Sequence, residues 1–224
     1  YWRAQLLPAI NKETSHFRQE LQAFDVIGDL ERFLVDGNFS DTVHVRLVRL
    51  IQPHAMRLPG QRYVSEASYP VHLTVKSAYH EIVHPYGDRL VDSVLTAQFK
   101  LLEKDSFLQL TVARMDQNTA YKSFRAFFHE EVTTAAEIWV AERRRMISQI
   151  MHSSGSGPSA AVRRYLAEHD EGRHVLAAVI YSYLAEGLKK EDESYAEFLR
   201  MLFASRRLSP GKIEERYNKF MNVP

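Results

Sequence analysis

The sequence predicts a mainly α-helical protein that carries a short β-ribbon. Apolar residues recur at three- and four-residue steps through most of the chain, while one segment alternates apolar and polar residues strictly. Hydrophobic residues make up 45% and charged residues 25% of the 224 positions, which excludes disordered and collagen-like classes. A chain of this length buries roughly 70% of its unfolded surface on folding, enough for a core without covalent staples. Cysteine is absent, which excludes disulfides, Cys-ligated zinc and Cys nucleophiles.

Residues 1–35 read as helix, with Leu21, Phe24, Ile27, Leu30, Phe33 and Leu34 forming one stripe. Asp36-Gly37-Asn38 breaks it, and Ser40 or Asp41 can cap the next segment, so Thr42–Ile51 is assigned to helix although Val43, Val45 and Leu47 also alternate. Pro53 and Pro59-Gly60 mark turns. Tyr69–Lys76 is the clearest strand, with Val71, Leu73 and Val75 on one face and His72, Thr74 and Lys76 on the other. Ser77 caps a helix running to about Leu102, kinked near Pro85 and Gly87. Further helices cover about 104–128 and 130–151.

The Gly/Ser-rich stretch 152–159 is the one linker-like segment. It divides the chain into a helical domain, 1–151, and a C-terminal helical region, 160–224. Helices are expected there at 160–169, 172–188 and 194–206, with a short piece after Pro210-Gly211. The longest purely apolar stretch, Val175–Ile180, is far short of a membrane span. No membrane partner is therefore expected, and the lack of Cys is compatible with a cytoplasmic location.

Two chemistries compete. In the first, two copies of strand 69–76 pair antiparallel across a homodimer. His72, Thr74 and Lys76 then project from one face of a ribbon that fits the major groove of double-stranded DNA. The amides after Ser77 are placed to hold a phosphate, and Arg143, Arg144 and Arg145 form the densest of several basic clusters. With 29 Lys+Arg against 28 Asp+Glu the net charge is only +1, so any such surface depends on local clustering. This reading needs no cofactor and is not enzymatic.

The alternative is a zinc-dependent hydrolase. His80-Glu81-Ile82-Val83-His84 matches H-E-x-x-H, which on a helix sets two imidazoles on one face to ligate zinc, with the carboxylate activating water. Three features count against it. The third ligand of the long motif would fall on Leu90, Pro85 should disturb the helix, and the upstream sequence reads as helix where such enzymes supply a sheet. Glu103, Glu130 or Glu131 are available as a distant third ligand, and spacing singles out none of them.

The block Leu58-Pro59-Gly60, Ser68-Tyr69-Pro70-Val71-His72-Leu73-Thr74-Val75, Ala78-Tyr79, Tyr86-Gly87-Asp88-Arg89-Leu90-Val91 and Val94-Leu95-Thr96-Ala97 resembles the AcaB-like family. These are transcriptional activators of conjugative plasmids and integrative conjugative elements. The similarity covers about residues 45–105 and departs at Gly87, where a larger residue is expected. It implies a ribbon-helix-helix DNA-binding core at about 69–128, embedded in the larger helical protein. It also implies a dimeric activator of conjugative-transfer genes bound at a promoter, with His80 and His84 outside the family motif. The leading expectation is thus a sequence-specific DNA-binding regulator.

Overall fold

The computed structural model describes residues 3, 7–48, 55–115, 123–152, 158–168 and 172–222. Among them the protein is mainly helical with one small sheet. Helices α1 (Leu7–Leu21) and α2 (Val26–Leu34) come first. The Asp25 carboxylate caps α2, accepting from the Gly28 amide at 2.9 Å.

Strands β1 (His44–Val48), β2 (Met56–Leu58) and β3 (Arg62–Glu66) follow and form a sheet in the order β1-β3-β2. β1 runs parallel to β3, and β2 pairs with β3 antiparallel. The β2–β3 turn places Gly60 at φ +78°, a conformation that favours glycine. The helix expected over Thr42–Ile51 is therefore replaced by strand through Val48, and residues 49–51 lie outside the described residues. Val45 and Leu47 alternate with exposed neighbours along β1, the pattern of a half-buried strand.

Helix α3 (Val71–Arg89) overturns the ribbon assignment, because all but the first two residues of the expected strand 69–76 are helical. Pro70 explains the outcome locally. It has no N–H to give a ladder, and its carbonyl accepts the first helical bonds, from Leu73 at 3.0 Å and Thr74 at 3.1 Å. The alternation of Val71, Leu73 and Val75 is not amphipathic in space. Thr74, Lys76 and Ser77 are buried as well as Val75, so this part of the helix is enclosed on several sides.

A single π-helical turn, Leu90–Val94, links α3 to α4 (Thr96–Leu102), and α5 (Ser106–Arg114) follows. Residues 116–122 are not described, so the expected continuous helix to residue 128 is tested only in part. The long α6 (Phe124–Arg143) leads to the short α7 (Met146–Ile150). Beyond the linker, of which residues 153–157 are not described, come α8 (Pro158–Glu168), α9 (Val175–Ala185), α10 (Tyr195–Ala204) and α11 (Ile213–Met221).

Helix α6 is the centre of the fold, packed on α3 and on α9. One hydrophobic core runs from Leu30 through Tyr79, Phe128 and Ile180 to Ile213, so residues on both sides of the linker share it. The sheet sits against the start of α3, where the Tyr63 hydroxyl donates to the Thr74 carbonyl at 2.9 Å. No helix among the described residues is long and apolar enough to cross a membrane.

Candidate metal centre

Helices α3 and α6 run antiparallel, as their side-chain partners show. Lys76 pairs with Glu137, His84 faces Glu130 and Asp88 meets His129. Close approach depends on Gly87, where a Cβ would come within 2.5 Å of Thr133 Oγ1. The larger residue expected at position 87 from the family resemblance would not fit this interface.

Along this seam the chain gathers one cluster of ligating atoms. His80 and His84 lie one helical turn apart, with their Nε2 atoms 3.0 Å from each other. Glu130 of α6 places Oε1 3.4 Å from His80 Nε2 and Oε2 3.8 Å from His84 Nε2. Two atoms bonded to one tetrahedral zinc at about 2.0–2.1 Å stand about 3.3 Å apart, so this spacing fits the ion. Among the described residues this is the one group of three His and carboxylate ligands that converges in this way.

The surroundings orient the ligands. His80 Nδ1 lies 2.7 Å from Glu137 Oε2, and the other oxygen of Glu137 pairs with the Lys76 ammonium. A carboxylate on Nδ1 fixes the proton there and turns the Nε2 lone pair toward the opposite side, where Glu130 stands. Burial would raise the Glu137 pKa, but Lys76 and His80 hold it well below the usual carboxylate range. Burial likewise draws His80 down, yet Glu130 and Glu137 lift it to about 9. His84 is pushed down to about 4 by burial and by its charged neighbour His80. A charged His80 can thus donate from Nε2 to the neutral His84 ring that faces it.

Glu81, the middle acid of the motif, is buried but lines a cleft of about 670 Å³ between α3 and the β2–β3 hairpin. Burial raises its pKa, and the charge of His80 opposes the shift. Arg57 and Leu58 of β2 form the facing wall, and Ile82, Pro85 and Tyr86 extend the α3 side. Pro85 sits on the exposed side of a helix that continues past it. Having no N–H, it leaves the Glu81 carbonyl without its i+4 donor in the same cleft wall.

Position 90 is Leu, and it is Glu130 of α6 that stands beside the two imidazoles. Two expectations are overturned: α3 runs through Pro85, and a sheet, not a helix, precedes the motif helix.

The residues proposed to read DNA are placed otherwise. His72 is half-buried in the first turn of α3. Thr74 is fully buried, its hydroxyl 3.2 Å from Ser65 Oγ. Lys76 is buried against Glu137 and lies 5.1 Å from the centroid of the Tyr165 ring. Ser77 is in the helix interior and caps nothing. None of the four forms part of a ribbon, because a helix offers no strand edge for a second copy to pair with. Arg143, Arg144 and Arg145 are exposed at the end of α6, but Arg144 is held by Asp29 in a two-bond ion pair at 2.9 and 2.7 Å.

Glu137 and Arg57 escaped the sequence reading. The signal for Glu137 was its seven-residue spacing from Glu130, two turns along one helix face, which complements Lys76, His80 and His84 at four-residue steps. No family model, curated protein or solved structure matches the chain. The resemblance to the AcaB-like family therefore rests on the quoted residues alone, and the segment it needs as a ribbon is helical.

Proposed function

We propose that the chain is a zinc-dependent hydrolase acting on peptide or related amide bonds. The observation that carries this reading is the convergence of His80 Nε2, His84 Nε2 and the Glu130 carboxylate, with Glu137 on the far side of His80. Two neutral imidazoles and one carboxylate are a donor set typical of catalytic zinc, which keeps a further position open. Zinc held by these three residues would supply Lewis acidity to the carbonyl under attack and to the attacking water.

The remaining work falls to the chain's own groups. Glu81 takes a proton from water as its oxygen bonds to the carbonyl carbon. It returns that proton to the nitrogen as the carbon–nitrogen bond breaks. Lys76 and Glu137 keep His80 in its ligating orientation. The cleft beside Glu81 suits an extended substrate, because its outer wall includes β2, an edge strand of the sheet. An extended backbone can hydrogen-bond to such an edge.

The test is Glu81→Gln in protein purified without chelator and assayed on a fluorogenic peptide library. The variant should keep its zinc and lose about 10²–10⁴-fold in turnover. Unchanged turnover, or a folded wild-type protein that takes up no zinc, removes the proposal.

A further inference from the structure

A second concavity lies at the end of α6, apart from the metal ligands and the cleft beside Glu81. It has a volume of about 620 Å³ and is walled by α2, the last turn of α6 and the segment after α9. Five of its residues are cationic, Arg32, Arg143, Arg144, Lys189 and Lys190, against two acids, Asp29 and Glu191. The sequence shows Arg143-Arg144 and Lys189-Lys190 as separate clusters, each readable as a solvated face. The fold brings them to one wall.

The cations are organised before any ligand arrives. Asp29 is buried and accepts from the Tyr79 hydroxyl at 2.6 Å and from Arg144 in two bonds, and it also pairs with Arg32. One buried carboxylate thus fixes two guanidinium groups at the pocket wall. Lys189 is half-buried, its ammonium 5.4 Å from the centroid of the Phe33 ring and donating to the Glu193 carbonyl and to the Lys190 carbonyl, the latter at 3.2 Å. Arg143 lies over the Trp139 ring at 5.9 Å. No carboxylate among the described residues ion-pairs Arg143, Lys189 or Lys190. Compensation of the α6 dipole accounts for basic residues in its last turn. It does not require a second basic pair from beyond α9 to share the same concavity.

The geometry points to a binding site for a small anion carrying several phosphate groups, of about the size of a nucleoside triphosphate. Arg143 and the two lysines offer cationic donors that Asp29 does not take, such donors suit phosphate oxygens, and the volume lies within the range of small-ligand sites. This site is independent of the metal centre and of the hydrolytic reading.

The test is calorimetric titration of the full chain with inorganic tripolyphosphate at low and at moderate salt. Wild type should bind one equivalent, more weakly as salt rises. Lys189→Gln combined with Lys190→Gln should weaken binding at least tenfold, and Arg143→Gln should weaken it separately. Both variants change polar side chains outside the core, and a melting curve verifies that each is folded. The pair Arg206→Gln and Arg207→Gln, elsewhere on the surface, should leave affinity unchanged. Equal loss in that control pair would reveal general charge attraction. Equal binding by all variants would place the polyphosphate elsewhere on the chain. Either result, or no saturable binding, overturns the site.

Discussion

His80 Nδ1 lies 2.7 Å from Glu137 Oε2, and this contact joins α3 to α6 at the point where His84 and Glu130 also meet. Glu137 is a structural group by this contact, and under the proposed function it also orients a zinc ligand. Its carboxylate neutralises the buried Lys76 and turns His80 toward Glu130.

Replacing Glu137 by Gln should therefore have two effects. Zinc affinity, measured by competition with a chromophoric chelator, should fall about 10–100-fold, as it does when a ligand histidine loses its carboxylate partner. Stability in urea should fall by about 3–5 kcal/mol, because Lys76 is left charged and buried without its partner. Pairing Glu137→Gln with Lys76→Met should recover much of the stability but not the metal affinity. Recovery of both would show that the contact matters only for folding.

Gly87 makes an opposite prediction to the usual helix rule. Ala in place of Gly inside a helix ordinarily stabilises by about 1 kcal/mol. Here the added methyl would meet Thr133 Oγ1 at 2.5 Å and Val132 Cγ2 at 3.3 Å. Gly87→Ala should instead destabilise by about 1–3 kcal/mol, the usual range for overpacking. Adding Thr133→Ala should restore most of the loss. Denaturant midpoints of the three variants decide the matter.

Acid sensitivity should trace in part to Asp29. Burial alone would raise its pKa, but hydrogen bonds from Arg144, Tyr79 and Arg32 outweigh burial and lower it below the ordinary 3.8. A depressed carboxylate contributes stability that is fully present above its unfolded pKa. That contribution is lost as pH falls through the folded value, where the unfolded chain binds more protons. Asp29→Asn should thus be less stable than wild type at neutral pH, and the gap should close as the pH is lowered below about 4. A gap that stays constant across that range would contradict the assignment.

Much of this architecture was legible in the sequence, and the failures have physical causes. The helical stripe through Leu30, Phe33 and Leu34 survives because only one side of α2 is buried. Residues 71–76 misled because α3 is enclosed on several sides, and a helix with buried Thr74 and Lys76 has no apolar stripe to detect. Pro70 was the local signal that outranked the alternation. The sheet was hidden by the opposite choice: Ser40 and Asp41 read as a helix cap, so the alternation of Val43, Val45 and Leu47 gave way to a helix, and β1 pairs with the distant β3. His80 and His84 were visible as a pair. Glu130 was one of three candidate acids until α6 packed against α3, a long-range event that spacing along the chain does not encode.

The proposed metal centre is tested most directly by anomalous diffraction at the zinc edge, on crystals grown from chelator-free protein with zinc present. One strong peak is predicted per chain, within about 2.0–2.2 Å of His80 Nε2, His84 Nε2 and a Glu130 oxygen. A zinc peak ligated by other residues, or an α3–α6 seam that stays intact with no peak between these three side chains, would contradict the account.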